Sequence, residues 1–198
     1  MTLQQFNYFL FDVLNVSPES STGLTRFAFF IAHDLFYFVI CLFFIGWFLV
    51  SKNTKETMLR IFFVTILAFA TSQLISHFIY SPRPFAIPIG MTLLEHKANG
   101  SFPSDHMLFF SSVAFGFLFS RYFKLAAIFF VFALSVAWSR IYLGVHFPLD
   151  MIGAFYLAFI INFLGIYVWK KIGTQIFVFI HSLYQRIFKH WIHRGWIR

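Results

Sequence analysis

The feature that most limits how this chain can fold is a series of long apolar stretches with almost no charged side chains. Hydrophobic residues make up 60% of the 198 residues and charged residues only 11%, whereas a soluble domain carries about 25% charged residues. A stretch of about 20 apolar residues crosses a bilayer as a helix, because a helix satisfies its own backbone hydrogen bonds. The pattern therefore predicts an all-α integral membrane protein with one domain, residues 1–198.

Five stretches are predicted to be transmembrane helices, and they lie at residues 27–50, 58–80, 105–120, 125–142 and 148–169. A sixth span over residues 172–184 is an alternative, although this stretch is short. Amphipathic interfacial helices are expected at both termini, because residues 3–16 have helical apolar spacing and the tail mixes basic residues with Trp and Ile. The domain then divides into an interfacial segment (residues 1–23), a transmembrane core (24–170) and a basic segment (171–198).

Basic side chains are unevenly divided between the two membrane faces that five alternating spans define. Four of the 15 Lys and Arg residues, namely Arg26, Arg83, Lys97 and Arg140, fall on one face, and the rest fall on the other. The positive-inside rule makes the basic-rich face cytoplasmic, so the N-terminus is predicted outside and the C-terminus inside. The net charge of +8 is interpreted as an effect of cytoplasmic loops and anionic lipid, and no nucleic-acid partner is expected.

Three polar stretches, residues 81–85, 102–106 and 139–150, are predicted to meet at the sparsely charged outer face. Ionisable groups in such apolar surroundings mark functional sites. The side chains that these stretches bring together are Arg83, Ser104, His106, Arg140, His146 and Asp150. Arginine presents a planar fork of donors that matches phosphate oxygens. The cluster therefore favours binding of an anion such as a lipid phosphate.

Two details of spacing add to this interpretation. Ser104 precedes a helical stretch and is predicted to be its N-cap, where free backbone N–H groups attract anions. His146 and Asp150 are four residues apart, so the carboxylate reaches one imidazole nitrogen and stabilises the cation that forms when the other nitrogen attacks. Arginines at a membrane surface also reach out to lipid headgroups. The residues alone therefore leave two classes open, phosphate chemistry and a lipid-binding or transport role.

The same stretches resemble the signatures of the type 2 phosphatidic acid phosphatase superfamily over about residues 58–169. The first signature is a lysine, six further residues, and Arg-Pro. The second is Pro-Ser-Gly-His. The third is Ser-Arg, with a His six residues after the Arg and an Asp ten residues after it. This chain matches the end of the first at Arg83-Pro84, three of four positions of the second at Pro103-Ser104-Asp105-His106, and all of the third at Ser139-Arg140, His146 and Asp150.

The chain departs from the family pattern at two positions. The lysine of the first signature falls at Ser76, and His77 and Lys97 are candidates to replace it as phosphate ligands. The glycine of the second signature is Asp105, and a carboxylate beside the phosphate must point away from it or meet Arg83. The Pro-Ser-Asp-His form is similar to the undecaprenyl-diphosphatase branch, the bacitracin-resistance type.

The resemblance implies a role for each residue. His146 attacks phosphorus and becomes a phosphohistidine, and Asp150 orients it. His106 protonates the leaving lipid phosphate and then helps water to attack the intermediate. Arg83, Ser104 and Arg140 hold the phosphate oxygens, and Asp105, His77 and Lys97 complete the candidate phosphate site. No metal or other cofactor is expected, because the arginines supply the positive charge.

The function implied is hydrolysis of a polyprenyl diphosphate to the monophosphate and phosphate, at the outer face of a bacterial cytoplasmic membrane. Two alternatives stay open: a phosphatase or phosphotransferase of phosphatidate, phosphatidylglycerol phosphate or lipid A, and a non-catalytic lipid-phosphate carrier. The expected partners are the lipid substrate and the bilayer, and the oligomeric state is not predicted. Glu95 and His96 are expected to be exposed to solvent, with gating of the site as the alternative.

Overall fold

The structure is a computed structural model and describes residues 1–87 and 89–198. In these residues it contains helices and no strand: α1 (Leu3–Leu14), α2 (Thr22–Phe29), α3 (Leu35–Leu49), α4 (Lys52–Phe78), α5 (Asp105–Phe119), α6 (Phe123–Tyr142), α7 (Pro148–Ile187) and α8 (Lys189–His193). A π-helical turn, Phe30–Asp34, joins α2 to α3. The all-α prediction is confirmed.

Four helical segments in the described part of the chain are long and apolar enough to cross a membrane: Thr22–Leu49, Lys52–Phe78, Phe123–Tyr142 and Pro148–Ile187. The shorter α5 is also apolar. Many large apolar side chains on these helices are exposed, which is the arrangement of a protein whose outer surface faces lipid. The chain is a multi-pass membrane protein.

The last long helix corrects the sequence analysis. We expected a span that ends near residue 169 and then a separate tail helix or a sixth span over residues 172–184, but α7 is one helix of 40 residues. The two lysines at positions 170 and 171 change the polarity of the helix surface, yet neither is a helix breaker. Without a proline after Pro148, the backbone hydrogen bonding continues to Ile187.

Helix α5 lies at the centre of the bundle, in contact with α4, α6 and α7. Ten of its 15 residues are buried. Because its neighbours cover α5 on most sides, it does not need the length of a lipid-facing span. Its central position places its N-terminus beside the first turn of α7, where the Ser104 N–H donates to the Asp150 backbone carbonyl over 3.3 Å.

The two ends of the bundle differ in chemistry. At one end the α3–α4 and α5–α6 turns meet, because Arg60 Nη2 donates to Ser120 Oγ over 2.5 Å and Thr54 Oγ1 lies 3.2 Å from Tyr122 Oη. At the other end lie the end of α4, the 79–104 loop, the start of α5 and the α6–α7 turn. The three predicted polar stretches are thus at one end, and many of the basic residues are at the other.

Helix α1 packs over the α6–α7 turn. Thr2 and Gln5 form a capping box that starts the helix, and the fully buried Phe11 meets the edge of the Phe147 ring at 5.1 Å between centroids. Asn7 Oδ1 accepts a hydrogen bond from the Leu149 N–H at 3.0 Å. The amphipathic N-terminal helix is therefore present, and its apolar face covers the residues around His146.

Candidate active site

The α6–α7 turn sets the position of His146. Gly144 has φ +78°, a conformation that side chains disfavour, and a Cβ at this position would run into the Met91 carbonyl oxygen. The Val145 N–H donates to the Arg140 carbonyl over 3.1 Å. This tight turn directs His146 back toward the bundle, one residue before the N-cap of α7.

His146 is held between a carboxylate and a guanidinium group. It is 2% exposed, its Nδ1 lies 3.3 Å from Asp150 Oδ2, and its Nε2 lies 3.1 Å from Arg83 Nη1. Because Nδ1–H donates to the carboxylate, Nε2 carries the lone pair. Burial lowers the pKa of His146 to about 4, although the Asp150 hydrogen bond opposes this shift. At neutral pH the imidazole is therefore uncharged, and its Nε2 lone pair accepts a hydrogen bond from Arg83 Nη1. An anion that binds the Arg83 guanidinium would release this lone pair to act as a nucleophile.

Arg83 is fixed by the loop around it. Arg83 is only 4% exposed. Its Nε donates a hydrogen bond to Asn99 Oδ1 over 3.0 Å and its Nη2 donates to the Gly100 carbonyl over 3.2 Å. Its Nη1 donates to the Val145 carbonyl over 2.9 Å. Burial lowers the pKa of Arg83, and the carboxylates of Asp150 and Asp105 counteract this. A guanidinium group stays charged under these conditions, so a fixed cation faces Nε2 of His146.

Ser101 belongs to the site, and the sequence analysis missed it. It is 0% exposed, its Oγ donates to Asp150 Oδ2 over 2.5 Å, and the same Oγ lies 3.3 Å from His146 Nδ1. Asp150 Oδ2 also accepts the Phe147 N–H at 2.8 Å. The one available signal was the position of Ser101, two residues before Pro103 and hence next to a matched signature.

Two buried polar atoms near these residues lack partners among the described residues: Ser104 Oγ and Arg140 Nε. Ser104 is the N-cap of α5, as predicted, but its hydroxyl makes no capping hydrogen bond. Arg140 Nη1 donates over 3.2 Å to the carbonyl of Ala32, inside the π turn. Buried polar atoms without partners are costly and rare, so these two are suited to bind the oxygens of an anion.

His106 and Asp105 lie in the first turn of α5. The His106 ring packs against Phe36, with centroids 5.1 Å apart, and His106 is within electrostatic range of Arg140 and His146. Asp105 Oδ1 accepts a hydrogen bond from Ser72 Oγ on α4 at 3.3 Å. The Asp105 carboxylate is therefore directed toward α4, which is the first of the two arrangements expected for it.

The structure does not bring His77 or Lys97 into this cluster. Both residues are exposed, and the His77 ring packs beside Phe78 at 5.3 Å between centroids. No hydrogen bond of the described residues joins either side chain to Arg83, Arg140 or His146. Position 76, where the family pattern has a lysine, is a serine that lies against the loop: a Cβ on Gly100 would be 2.5 Å from Ser76 Oγ.

His96 is closer to the site than expected. It is half-buried, its ring centroid lies 6.3 Å from that of His146, and its Nδ1 lies 3.1 Å from the Lys97 carbonyl oxygen. Glu95 is exposed as predicted. Together with Phe85, Thr92, Leu94 and Lys97, these two residues line a cavity of about 580 Å³. The prediction of solvent exposure was therefore wrong for His96.

Comparisons with known sequences agree with this geometry. The profile described as the PAP2 superfamily matches residues 57–174. The chain belongs to the PAP2 superfamily. A relative covering 99% of both chains at 32% identity is YbjG of Escherichia coli (strain K12), which bears the name "Putative undecaprenyl-diphosphatase". Undecaprenyl-diphosphatase BcrC of Bacillus subtilis (strain 168) is also 32% identical, over 60% of this chain and 61% of its own.

Two solved structures share the fold. The crystal structure of LpxE from Aquifex aeolicus has a TM-score of 0.67 and 24% identity, covering 84% of this chain and 99% of its own. A transmembrane PAP2-type phosphatidylglycerolphosphate phosphatase from Bacillus subtilis has a TM-score of 0.65 and 22% identity, covering 86% and 87%. The predicted resemblance to this superfamily is therefore confirmed, and it extends to the fold.

Proposed function

We propose that this PAP2 protein hydrolyses undecaprenyl diphosphate to undecaprenyl phosphate and inorganic phosphate, through a phosphohistidine at His146. The observation that carries the proposal is the arrangement of the His146 imidazole. Asp150 Oδ2 lies 3.3 Å from Nδ1, and Arg83 Nη1 lies 3.1 Å from Nε2, as required of an oriented nucleophile beside a cation. The names of the relatives YbjG and BcrC support this choice of substrate.

In the first chemical step, Nε2 of His146 attacks the terminal phosphorus. The negative charge of the bound diphosphate favours protonation of His106. The bond from phosphorus to the bridging oxygen breaks, and the protonated His106 donates its proton to that oxygen of the leaving lipid phosphate. Arg83, Arg140 and Ser104 hold the non-bridging oxygens, because charge accumulates there in the transition state. The Asp150 carboxylate balances the positive charge that forms on the His146 ring.

In the second step, a water molecule attacks the phosphohistidine. His106, now unprotonated, takes a proton from this water, and the bond between phosphorus and Nε2 breaks. Inorganic phosphate leaves, and His106 and His146 return to their starting states. Since the water proton replaces the one given to the lipid phosphate, protons balance over the cycle.

The reaction is proposed to take place at the outer face of the bacterial cytoplasmic membrane. The polar cluster lies at the end of the bundle opposite the α3–α4 and α5–α6 turns, which carry Lys52, Arg121 and Lys124. The positive-inside rule assigns those basic turns to the cytoplasm. The C-terminus is cytoplasmic in the same arrangement.

The deciding experiment is to replace His146 by Ala and to measure phosphate release from undecaprenyl diphosphate with detergent-purified protein. We expect activity to fall by about 10³-fold or more, because the covalent intermediate cannot form. His190→Ala is the matched control, since His190 is exposed on α8. A well-folded His146→Ala protein with substantial remaining turnover would refute the proposal.

A panel of lipid phosphates separates the remaining functions. The buried cations and polar atoms of the site suit a phosphate group and do not select a lipid tail, so phosphatidate, phosphatidylglycerol phosphate and lipid A belong in the panel. Faster release from one of these would assign the chain to that substrate. Binding of the lipids without release of phosphate from any of them would instead indicate a carrier.

Full activity is expected in the presence of EDTA. The charge on the phosphate is met by two guanidinium groups, and among residues 1–87 and 89–198 no group of three His, Cys, Asp or Glu side chains could hold a metal ion. Phosphate release is measured with and without chelator after dialysis. Loss of activity in EDTA that Mg²⁺ restores would contradict the mechanism.

A further inference from the structure

The loop before α5 is fixed against the α6–α7 turn. The Met91 N–H donates to Asn15 Oδ1 over 2.7 Å, Thr92 Oγ1 donates to the Gly144 carbonyl over 3.1 Å, and the Leu93 N–H donates to the Leu143 carbonyl over 3.1 Å. Residues 91–93 are therefore anchored to the same turn that carries His146. The next residues of the loop, including His96, are held beside the nucleophile.

The orientation of the His96 ring leaves one nitrogen free. Nδ1 lies 3.1 Å from the Lys97 carbonyl oxygen, which can only accept a hydrogen bond, so Nδ1 carries a proton. Nε2 is then the nitrogen available to a ligand. The rings of His96 and His146 meet edge to face, with centroids 6.3 Å apart and an interplanar angle of 71°. A phosphoryl group on His146 would therefore lie close to the His96 ring.

The charges around His96 change when phosphate binds. Burial lowers the pKa of His96, the Lys97 carbonyl opposes this shift, and the positive charges of Arg83 and Arg140 lower the pKa further. The ring is therefore neutral. A phosphate group that binds the two arginines neutralises them and adds negative charge near the ring, and both effects favour protonation.

We propose that His96 is a phosphate-binding residue of this site, which donates a hydrogen bond from Nε2 as an imidazolium to the phosphoryl group on His146. This inference rests on the proposed function. His96 supplies a third cationic phosphate ligand, after Arg83 and Arg140. It comes from the loop, whereas the position of the family lysine, 76, is a serine packed against Gly100. Neither His77 nor Lys97, the candidates from the sequence, makes a hydrogen bond to the cluster among the described residues.

The test uses the full-length, detergent-purified protein with His96→Ala, His96→Gln and His96→Lys substitutions. Undecaprenyl diphosphate is the substrate, and orthovanadate, a phosphate mimic, is the inhibitor. We expect His96→Ala and His96→Gln to lower kcat/KM by about 100-fold, as for loss of one charged transition-state donor, and to weaken inhibition by orthovanadate. His96→Lys restores a cation and retains activity within about tenfold of the wild type.

The pH profile distinguishes this role from a structural one. The groups that face His96 are Arg83, Arg140, His106 and His146, and Glu95 and Lys97 adjoin it in the loop. Wild-type activity is expected to decline on the alkaline side as His96 and the proton donor His106 lose their protons. In His96→Lys the part of this decline that belongs to residue 96 moves to higher pH, because the lysine keeps its charge. A purely structural histidine would not produce this displacement.

Failure of this inference is distinguishable from failure of the proposed function. Wild-type values of kcat/KM and of orthovanadate inhibition in His96→Ala, together with an inactive His146→Ala protein, would overturn the role of His96 alone. The same conclusion follows if His96→Ala is normal and Lys97→Ala loses activity. An active His146→Ala protein would overturn the proposed function itself. His190→Ala serves as the control for histidine removal.

Discussion

At the scale of single residues, the Asp150 carboxylate is held more firmly than its distance to His146 alone suggests. One oxygen, Oδ2, accepts hydrogen bonds from Ser101 Oγ at 2.5 Å and the Phe147 N–H at 2.8 Å, in addition to facing His146 Nδ1. Because Phe147 is the N-cap of α7 and Asp150 is its third residue, the carboxylate also stabilises the start of the helix. Orientation of the His146 imidazole and formation of α7 therefore depend on the same group.

Replacing Ser101 by Ala should lower kcat by about 10- to 100-fold with a smaller effect on KM. The change removes the shortest hydrogen bond to Asp150 and leaves a buried acceptor less satisfied, which costs about 1–3 kcal/mol. Steady-state phosphate release gives both parameters. Ser182→Ala is the control, because the Ser182 hydroxyl bonds within its own helix. An unchanged kcat in Ser101→Ala would show that Phe147 alone orients the carboxylate.

The buried His146 should make stability depend on pH. Its pKa is about 4 in the folded protein and 6.5 ordinarily, so the unfolded chain binds more protons between these values. Stability is then complete above about pH 6.5 and decreases as the pH falls toward 4, by up to about 1.4 kcal/mol per pH unit. Thermal unfolding in detergent at pH 7 and pH 5 measures this. In His146→Gln the difference should shrink; an identical pH dependence would contradict it.

At the scale of elements, Asn15 links three parts of the chain. Its Nδ2 donates to the Met91 carbonyl at 2.9 Å and the Tyr142 carbonyl at 3.0 Å, and its Oδ1 accepts the Met91 N–H at 2.7 Å. The end of α1 thereby joins the loop that carries His96 to the end of α6. An asparagine suits this position because it offers both a donor and an acceptor.

Asn15→Ala should therefore loosen the loop without removing any group of the site. Each lost hydrogen bond costs about 1 kcal/mol, so we expect a lower unfolding temperature and faster proteolysis within residues 89–100. Activity should fall less than in His146→Ala. Asn53→Ala, at the opposite end of the bundle, is the comparison. Equal rates of proteolysis in wild type and Asn15→Ala would mean that other contacts hold the loop.

The sequence predicted helices better than it predicted loop contacts. The apolar stretch after Asp105 predicted α5 with its observed start, and the serine before Asp105 was predicted to be the N-cap. Both predictions succeeded because they depend on local sequence pattern. Ser101 was missed, and His96 was expected to be exposed to solvent, because the positions of both depend on how the 79–104 loop folds, and no sequence periodicity predicts this. The π turn was missed for a different reason: Phe30–Asp34 has ordinary helical composition, and the turn becomes apparent only where Arg140 meets the Ala32 carbonyl.

At the scale of the whole molecule, the membrane orientation is testable by cysteine labelling. Cys41 is the only cysteine, so Cys41→Ser gives a cysteine-free background. Ala98→Cys, in the exposed loop of the site, should react with a membrane-impermeant maleimide in intact cells. Lys124→Cys, at the other end of the bundle, should react only after the membrane is permeabilised. The reverse labelling pattern would place the site in the cytoplasm.

Helix α7 connects the two ends of the molecule through one continuous backbone. Its first turn carries Asp150, and near its last turn Tyr184 packs under Lys55, whose Nζ lies 4.0 Å from the ring centroid, and beside Phe48. Forty helical residues correspond to about 60 Å of rise, roughly twice the hydrocarbon thickness. A displacement at the C-terminal end of α7 would therefore be transmitted along one continuous helix to Asp150, the carboxylate next to His146.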